Sequence, residues 1–214
     1  MGASDCDCHG GVVLLSGGID SAVVLTYAVQ ECANVVAITF DYGQRAKEQE
    51  RKAAYTLTRR FNIEHVVIAL DFSQWGGSAL TDDNIPIPKE ETDGVPVTYV
   101  PARNIVFIAV AASFAEARGF DRVYYGANAI DYSGYPDCRP VFVEAMQTAL
   151  IRGMDTPIEL VVPLLNKTKK EIFALAEIME IPIQETWSCY EGGPEPCGLC
   201  PSCRMRQRAL KPTI

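Results

Sequence analysis

The sequence predicts an α/β protein, an open parallel sheet of about five strands with helices on both faces. Three observations carry that prediction. Short runs rich in β-branched residues alternate with helix-length amphipathic segments, the pattern of a βα series. The strand runs are nearly continuously apolar, as required when helices cover both faces of a parallel sheet. A glycine-rich turn separates the first strand from the first helix, where open sheets of this kind bind anions.

Taken in order, residues 12–15 form the first strand and 22–30 the first helix. Residues 35–40 precede a helix over 45–61, with Ala46, Ala53, Ala54, Leu57 and Phe61 as its apolar stripe. Strand 65–70, helix 104–118 and strands 122–125 and 159–162 follow. Thr168 with Glu171 reads as a capping box opening a last helix, whose apolar face is Ile172, Leu175, Ala176 and Met179. The connections 71–99 and 127–140 are too long for simple turns and follow predicted strands, which makes them candidate site walls.

The 214 residues, 48% of them hydrophobic, suit one packed domain. The expected organisation is a flexible tail over 1–10, a nucleotide- and substrate-binding domain over 11–186, and a metal-binding segment over 187–214. No apolar run approaches the roughly 20 residues of a membrane span. The opening MGASDCDCHGG lacks the basic and apolar regions of a signal peptide. A cytoplasmic protein with no membrane partner is therefore expected. A net charge of −8 opposes broad nucleic-acid binding. The eight cysteines, without an export signal, are expected as thiols or metal ligands rather than disulfides.

Four of them cluster: Cys189, Cys197, Cys200 and Cys203 lie within SCYEGGPEPCGLCPSC. Two-residue gaps let thiolates from tight turns converge on one ion, and four sulfurs suit tetrahedral Zn²⁺ in a closed structural site. Iron–sulfur ligation is the rival. Arg204, Arg206, Arg208 and Lys211 offset the cluster's negative charge. Cys6, Cys8 and His9 fall in the acidic tail, and Cys32 and His65 are expected as packed side chains. Cys138 lies in the second long connection, with no histidine nearby in sequence to activate it.

The stretch VVLLSGGIDSAVVL carries the anion site. Ser16, Gly17, Gly18, Ile19, Asp20 and Ser21 form a strand-to-helix turn whose free N–H groups sit at the positive end of a helix dipole. The glycines admit phosphate oxygens close to the backbone, and the serines add donors. The pattern is neither GxxxxGK[ST] nor GxGxxG. Asp41 follows the second strand about 20 residues on, where a nucleotide's ribose or base belongs by doubly wound logic. An ordinary capped turn is the plainer reading of both features.

SGGIDS resembles the pyrophosphate loop of the ATP pyrophosphatase superfamily. Together with FDYGQRAKEQE, VPARN, GANAIDYSGYPDCRPVFVEA and the cysteine cluster, the chain resembles the 7-cyano-7-deazaguanine synthase family over nearly its whole length. Ile19, Ala22, Ala46, Ala102 and Val141 depart from that family's usual residues, with Ala102 standing where glycine is common. The resemblance implies an adenine nucleotide alpha hydrolase-like fold and ATP with Mg²⁺ held by residues 14–22 (Leu14 and Leu15 through Ala22) and Asp41. It implies 7-carboxy-7-deazaguanine and ammonia as the other substrates, a structural Zn²⁺ and a homodimer. Asp20, Arg103 and Lys167 are the implied catalytic residues. For the substrate, Asp131 or Asp137 offers an acceptor to the guanine-like edge and Tyr132 or Tyr135 a stacking face, with Asn104 beside them. A tRNA-thiolating enzyme of the same superfamily and a nucleotide-binding protein without turnover are the competing readings.

Overall fold

A computed structural model describes residues 8–90, 94–129 and 134–210. Five parallel strands, β1 (Cys8–Leu14), β2 (Cys32–Asp41), β3 (Glu64–Ala69), β4 (Arg122–Tyr124) and β5 (Glu159–Val161), form one sheet in the order β3-β2-β1-β4-β5. The helices are α1 (Ile19–Glu31), α2 (Lys47–Phe61), α3 (Arg103–Ala117), α4 (Pro140–Gly153), α5 (Lys169–Ile178) and α6 (Pro201–Leu210).

Two apolar layers sandwich the sheet. Val13 of β1 packs with Val23, Leu25, Leu57 and Ile172 from α1, α2 and α5. The adjacent Val12 points the other way, into a layer with Ile108 and Ala111 of α3 and Leu150 of α4. Successive side chains of a strand face opposite sides, so a buried apolar run requires both layers. β3, at the sheet edge, is the partly exposed strand. Thr168 caps α5 with a complete capping box, as its sequence predicts.

The chain builds β1, β2 and β3 outward in one direction, then crosses to add β4 and β5 on the other side of β1. The connections leaving β1 and β4 therefore part company at the carboxyl end of the sheet, which opens a crevice there.

Three features depart from the sequence expectations. β1 begins at Cys8, so residues 8–10 belong to the sheet rather than to a tail. Cys8 and Cys32 are register partners on neighbouring strands and form a disulfide, where thiols or metal ligands were expected. Cys6 lies outside the described residues. Helices α4 and α6 add to the predicted set; each starts with a proline, whose fixed φ and missing N–H suit a first turn.

Candidate active site

The loop after β1 is shaped by close neighbours. Gly17 has φ +80°, and a Cβ there would lie 2.5 Å from the carbonyl oxygen of Glu50, so both conformation and space require glycine. Gly18 is the N-cap of α1 and makes no side-chain cap. Instead Ser21 Oγ donates to the Gly18 carbonyl at 2.9 Å, Gly18 N–H donates to Ser16 Oγ at 3.3 Å, and the two hydroxyls lie 3.2 Å apart. The first-turn N–H groups of α1 have no intrahelical acceptors and face the crevice with the dipole behind them. That arrangement suits a phosphate chain.

The crevice is a cleft of about 290 Å³. Its lining includes Leu14, Leu15, Ser16 and Gly18 to Ser21 from the loop, together with Tyr42, Gln44, Glu50, Arg103 and Asn104. Gly126 and Ala127, after β4, form the floor beside Tyr135 and Cys138. Asp20 Oδ2 accepts from Lys169 Nζ at 2.5 Å, and Asp20 Oδ1 is buried with no hydrogen-bond partner among the described residues. The capping box at Thr168 fixes the first residue of α5, and with it this ammonium, against the loop.

Also in the cleft lining, Arg103 Nη1 donates to Tyr42 Oη at 2.9 Å, with its guanidinium carbon 5.3 Å from the Tyr42 ring centre. Burial pushes the Tyr42 phenol up to about 12, against the pull of Arg103. Burial disfavours the charge of Arg103, but the neighbouring Tyr42, Tyr135 and Asp137 oxygens outweigh it and hold the guanidinium ionised. Glu50 Oε2 accepts from Gln44 Nε2 at 2.9 Å, and burial raises its carboxyl above the ordinary range.

The four cysteine sulfurs at residues 189, 197, 200 and 203 lie within 4.8 Å of one another. As thiolates they match the donor set and spacing of a tetrahedral metal site. Main-chain N–H groups point at the sulfurs: Cys197 N–H to Cys189 Sγ at 3.3 Å, Leu199 and Cys200 N–H to Cys197 Sγ at 3.4 and 3.3 Å, and Cys203 N–H to Cys200 Sγ at 3.5 Å. Such donors stabilise thiolate charge. The same segment turns Trp187, Ser188, Tyr190, Ser202, Met205 and Arg206 into the cleft, so the cluster braces one of its walls. Arg45 ties this segment down through Glu191 at 3.6 Å, and a Cβ on Gly192 would overlap the Arg45 carbonyl.

Residues 10–213 match the family model described as queuosine biosynthesis protein QueC. The chain belongs to the QueC family. It is 49% identical over 210 residues to the 7-cyano-7-deazaguanine synthase of Parasynechococcus marenigrum, covering 94% of this chain and 92% of that protein. Identity to the synthase of Microcystis aeruginosa is 47% over 207 residues, covering 93% and 90%. Among solved structures, the QueC-family chain is similar in fold to NMN synthetase from Francisella tularensis (TM-score 0.54, 18% identity, 88% of this chain and 69% of that one). It is also similar to the U34-tRNA thiolase NcsA from Methanococcus maripaludis (TM-score 0.53, 18% identity, 94% and 64%).

In this QueC-family chain the fold brings Asp20, Arg103, Asn104 and Tyr135 to one cleft. Ala22 is buried beneath the loop, its N–H bonded to the Gly18 carbonyl. Asp41 stands outside the cleft lining; its Oδ1 accepts from Gly43 N–H at 3.3 Å, the turn role its position also allows. Lys167 does not line the cleft either, and the ammonium at Asp20 is that of Lys169. In NKTKKE the sequence offers three lysines, and only the helix register selects among them. Asp137 is buried behind the cleft wall, where Oδ2 accepts from Asn104 N–H at 3.0 Å and Oδ1 has no hydrogen-bond partner among the described residues. Asp131 and Tyr132 lie outside the described residues. Val141 is exposed on α4, away from the cleft. Sequence reasoning missed Glu50 and Gln44, although both stand in FDYGQRAKEQE.

Proposed function

We propose that the protein converts 7-carboxy-7-deazaguanine, ammonia and ATP to 7-cyano-7-deazaguanine, in the formation of the queuosine precursor. The observation that carries this reading is the SGGIDS loop at the crevice, whose lining also holds the cations of Lys169 and Arg103. ATP with Mg²⁺ lies with its phosphates on residues 16–21. The substrate carboxylate attacks the α-phosphorus, pyrophosphate leaves onto the loop, and ammonia displaces AMP to give the amide. A second activation on the amide oxygen leads to the nitrile.

The protein's part is positioning and charge stabilisation. Lys169, in the place expected of Lys167, offsets phosphate charge while it stays paired with Asp20. Arg103 faces the substrate carboxylate, with Tyr42 holding its guanidinium in place. Asn104 and Tyr135 line the substrate side, with Asp131 or Asp137 as acceptor for the guanine-like edge and Tyr132 or Tyr135 as stacking face. Zn²⁺ on Cys189, Cys197, Cys200 and Cys203 is structural and keeps the Trp187 to Arg206 wall in place. The protein works in the cytoplasm as a homodimer; the exposed apolar Val141 and Ile151 of α4 support self-association.

Mass spectrometry of the products after mixing protein, ATP, Mg²⁺, ammonium and 7-carboxy-7-deazaguanine tests the proposal. Appearance of the amide and then the nitrile supports it. A thiolated RNA product, or no ATP turnover with these substrates, overturns it.

A further inference from the structure

Resting on the function proposed above, the geometry points to Glu50 as the general base that removes the nitrogen protons during amide and nitrile formation. Both steps require proton loss. Ammonium and the acyl adenylate give amide, AMP and two protons: a C–N bond forms, the acyl C–O bond to AMP breaks, and AMP leaves with the electron pair. The adenylated amide, protonated on nitrogen, gives nitrile, AMP and two more protons as the second C–O bond breaks. An acceptor must stand beside the nitrogen each time.

The cleft offers few. Among the described residues, Asp20 and Glu50 are the carboxylates lining it, and neither histidine does. Asp20 is committed to Lys169 at 2.5 Å beside the phosphate loop. Glu50 is held differently. Gln44 donates to one of its oxygens and is itself fixed by Tyr42 N–H at 2.8 Å and by the Phe40 carbonyl at 3.0 Å. No cation is paired with it at contact distance among the described residues, so it keeps capacity to accept a proton. Its main chain adjoins Gly17, which sets it at the loop where the adenylate forms. An anionic side chain there also attracts ammonium, the abundant form at neutral pH. Burial raises the carboxyl, which strengthens it as a base. The protons pass onward to solvent through the open cleft.

The test separates the half-reactions. Substrate-dependent exchange of pyrophosphate into ATP reads the first adenylation, which needs no base because the substrate carboxylate is already ionised. In Glu50→Gln the exchange rate stays within about threefold of the parent, while amide and nitrile formation from ammonium falls about a hundredfold or more. Hydroxylamine, neutral at the assay pH, gives up one proton rather than two in forming the hydroxamate, so its capture of the adenylate falls far less than that of ammonium. Loss of exchange in step with amide formation overturns the inference, as does hydroxylamine capture that falls as far as that of ammonia. Unchanged nitrile formation also overturns it and moves the base to a residue such as Asp131. If Glu50→Gln does not fold, Glu50→Asp withdraws the carboxylate by one methylene: exchange is kept and amide formation drops about tenfold or more, and equal amide formation overturns the inference. Absence of exchange in the parent protein overturns the function itself, and the inference with it.

Discussion

Trp187 donates its main-chain N–H to the carbonyl of Gly17 at 2.9 Å, so the cysteine-bearing segment is bonded directly to the SGGIDS loop. Folding of that segment and shaping of that loop are therefore coupled. Metal binding to four thiolates contributes folding free energy. Stripping the metal with a thiol reagent and chelator will lower the melting temperature and weaken ATP binding by about tenfold, the scale of one lost hydrogen bond. Calorimetry on metal-replete and stripped protein measures both; unchanged ATP affinity in the stripped protein would separate the cluster from the loop. One colourless Zn²⁺ per chain is expected, and broad visible absorption would mark iron–sulfur instead.

The Asp20–Lys169 pair leads to a comparison of neighbouring lysines. Lys169→Met removes the cation beside the loop and leaves the half-buried Asp20 without its partner, a loss between the ~1 kcal/mol of an exposed pair and the ~3 kcal/mol of a buried one. Pyrophosphate exchange in this variant will fall about a hundredfold or more. Lys167→Met, outside the cleft lining, will change the exchange rate far less. A larger loss at position 167 than at 169 would return the catalytic role to Lys167.

The comparison also shows what the sequence made legible. Strand runs, the capping box at Thr168, the SGGIDS turn and the four-cysteine spacing are local patterns, and each is found where expected. The Cys8–Cys32 bridge depends on strand register, which spacing does not reveal. Glu50 sits on a helix whose apolar stripe explains its fold, and nothing local says that its side chain faces a cleft. Lys169 differs from Lys167 by the two residues that decide whether a side chain precedes or opens α5. Site residues brought together by crossing elements were the least legible, because their meeting is a property of packing.

Ala102 is the N-cap of α3 with φ +55°, a left-handed conformation that crowds Cβ against the backbone. Glycine adopts it without that clash but has more freedom to lose on folding. The first effect, about 1–2 kcal/mol, exceeds the second, about 0.5–1 kcal/mol. Ala102→Gly will therefore stabilise the fold by about 0.5–1 kcal/mol, read from urea unfolding. Destabilisation would mean that Ala102 makes a packing contribution larger than its strain.

Glu50 also carries a pH-dependent stability. Burial raises its carboxyl in the folded protein above its unfolded value. Folding then favours the protonated form, so the contribution is fully present below the unfolded carboxylate range and is lost as pH rises through the folded value. Gln44, whose amide donates to Oε2, and Arg103, whose charge acts on the same carboxylate, both oppose the rise without cancelling it. Glu50→Gln keeps the acceptor that Gln44 uses and removes the charge. The variant will match the parent in acid and exceed it at pH values above the folded transition by about 1 kcal/mol, the lower end for a partly buried polar group. Urea unfolding of both proteins across the pH range reads the difference. A gap that is constant with pH, or one that opens in acid, would show that Glu50 is ionised at no cost in the fold, and its strength as a proton acceptor would then have to come from contact with the substrates.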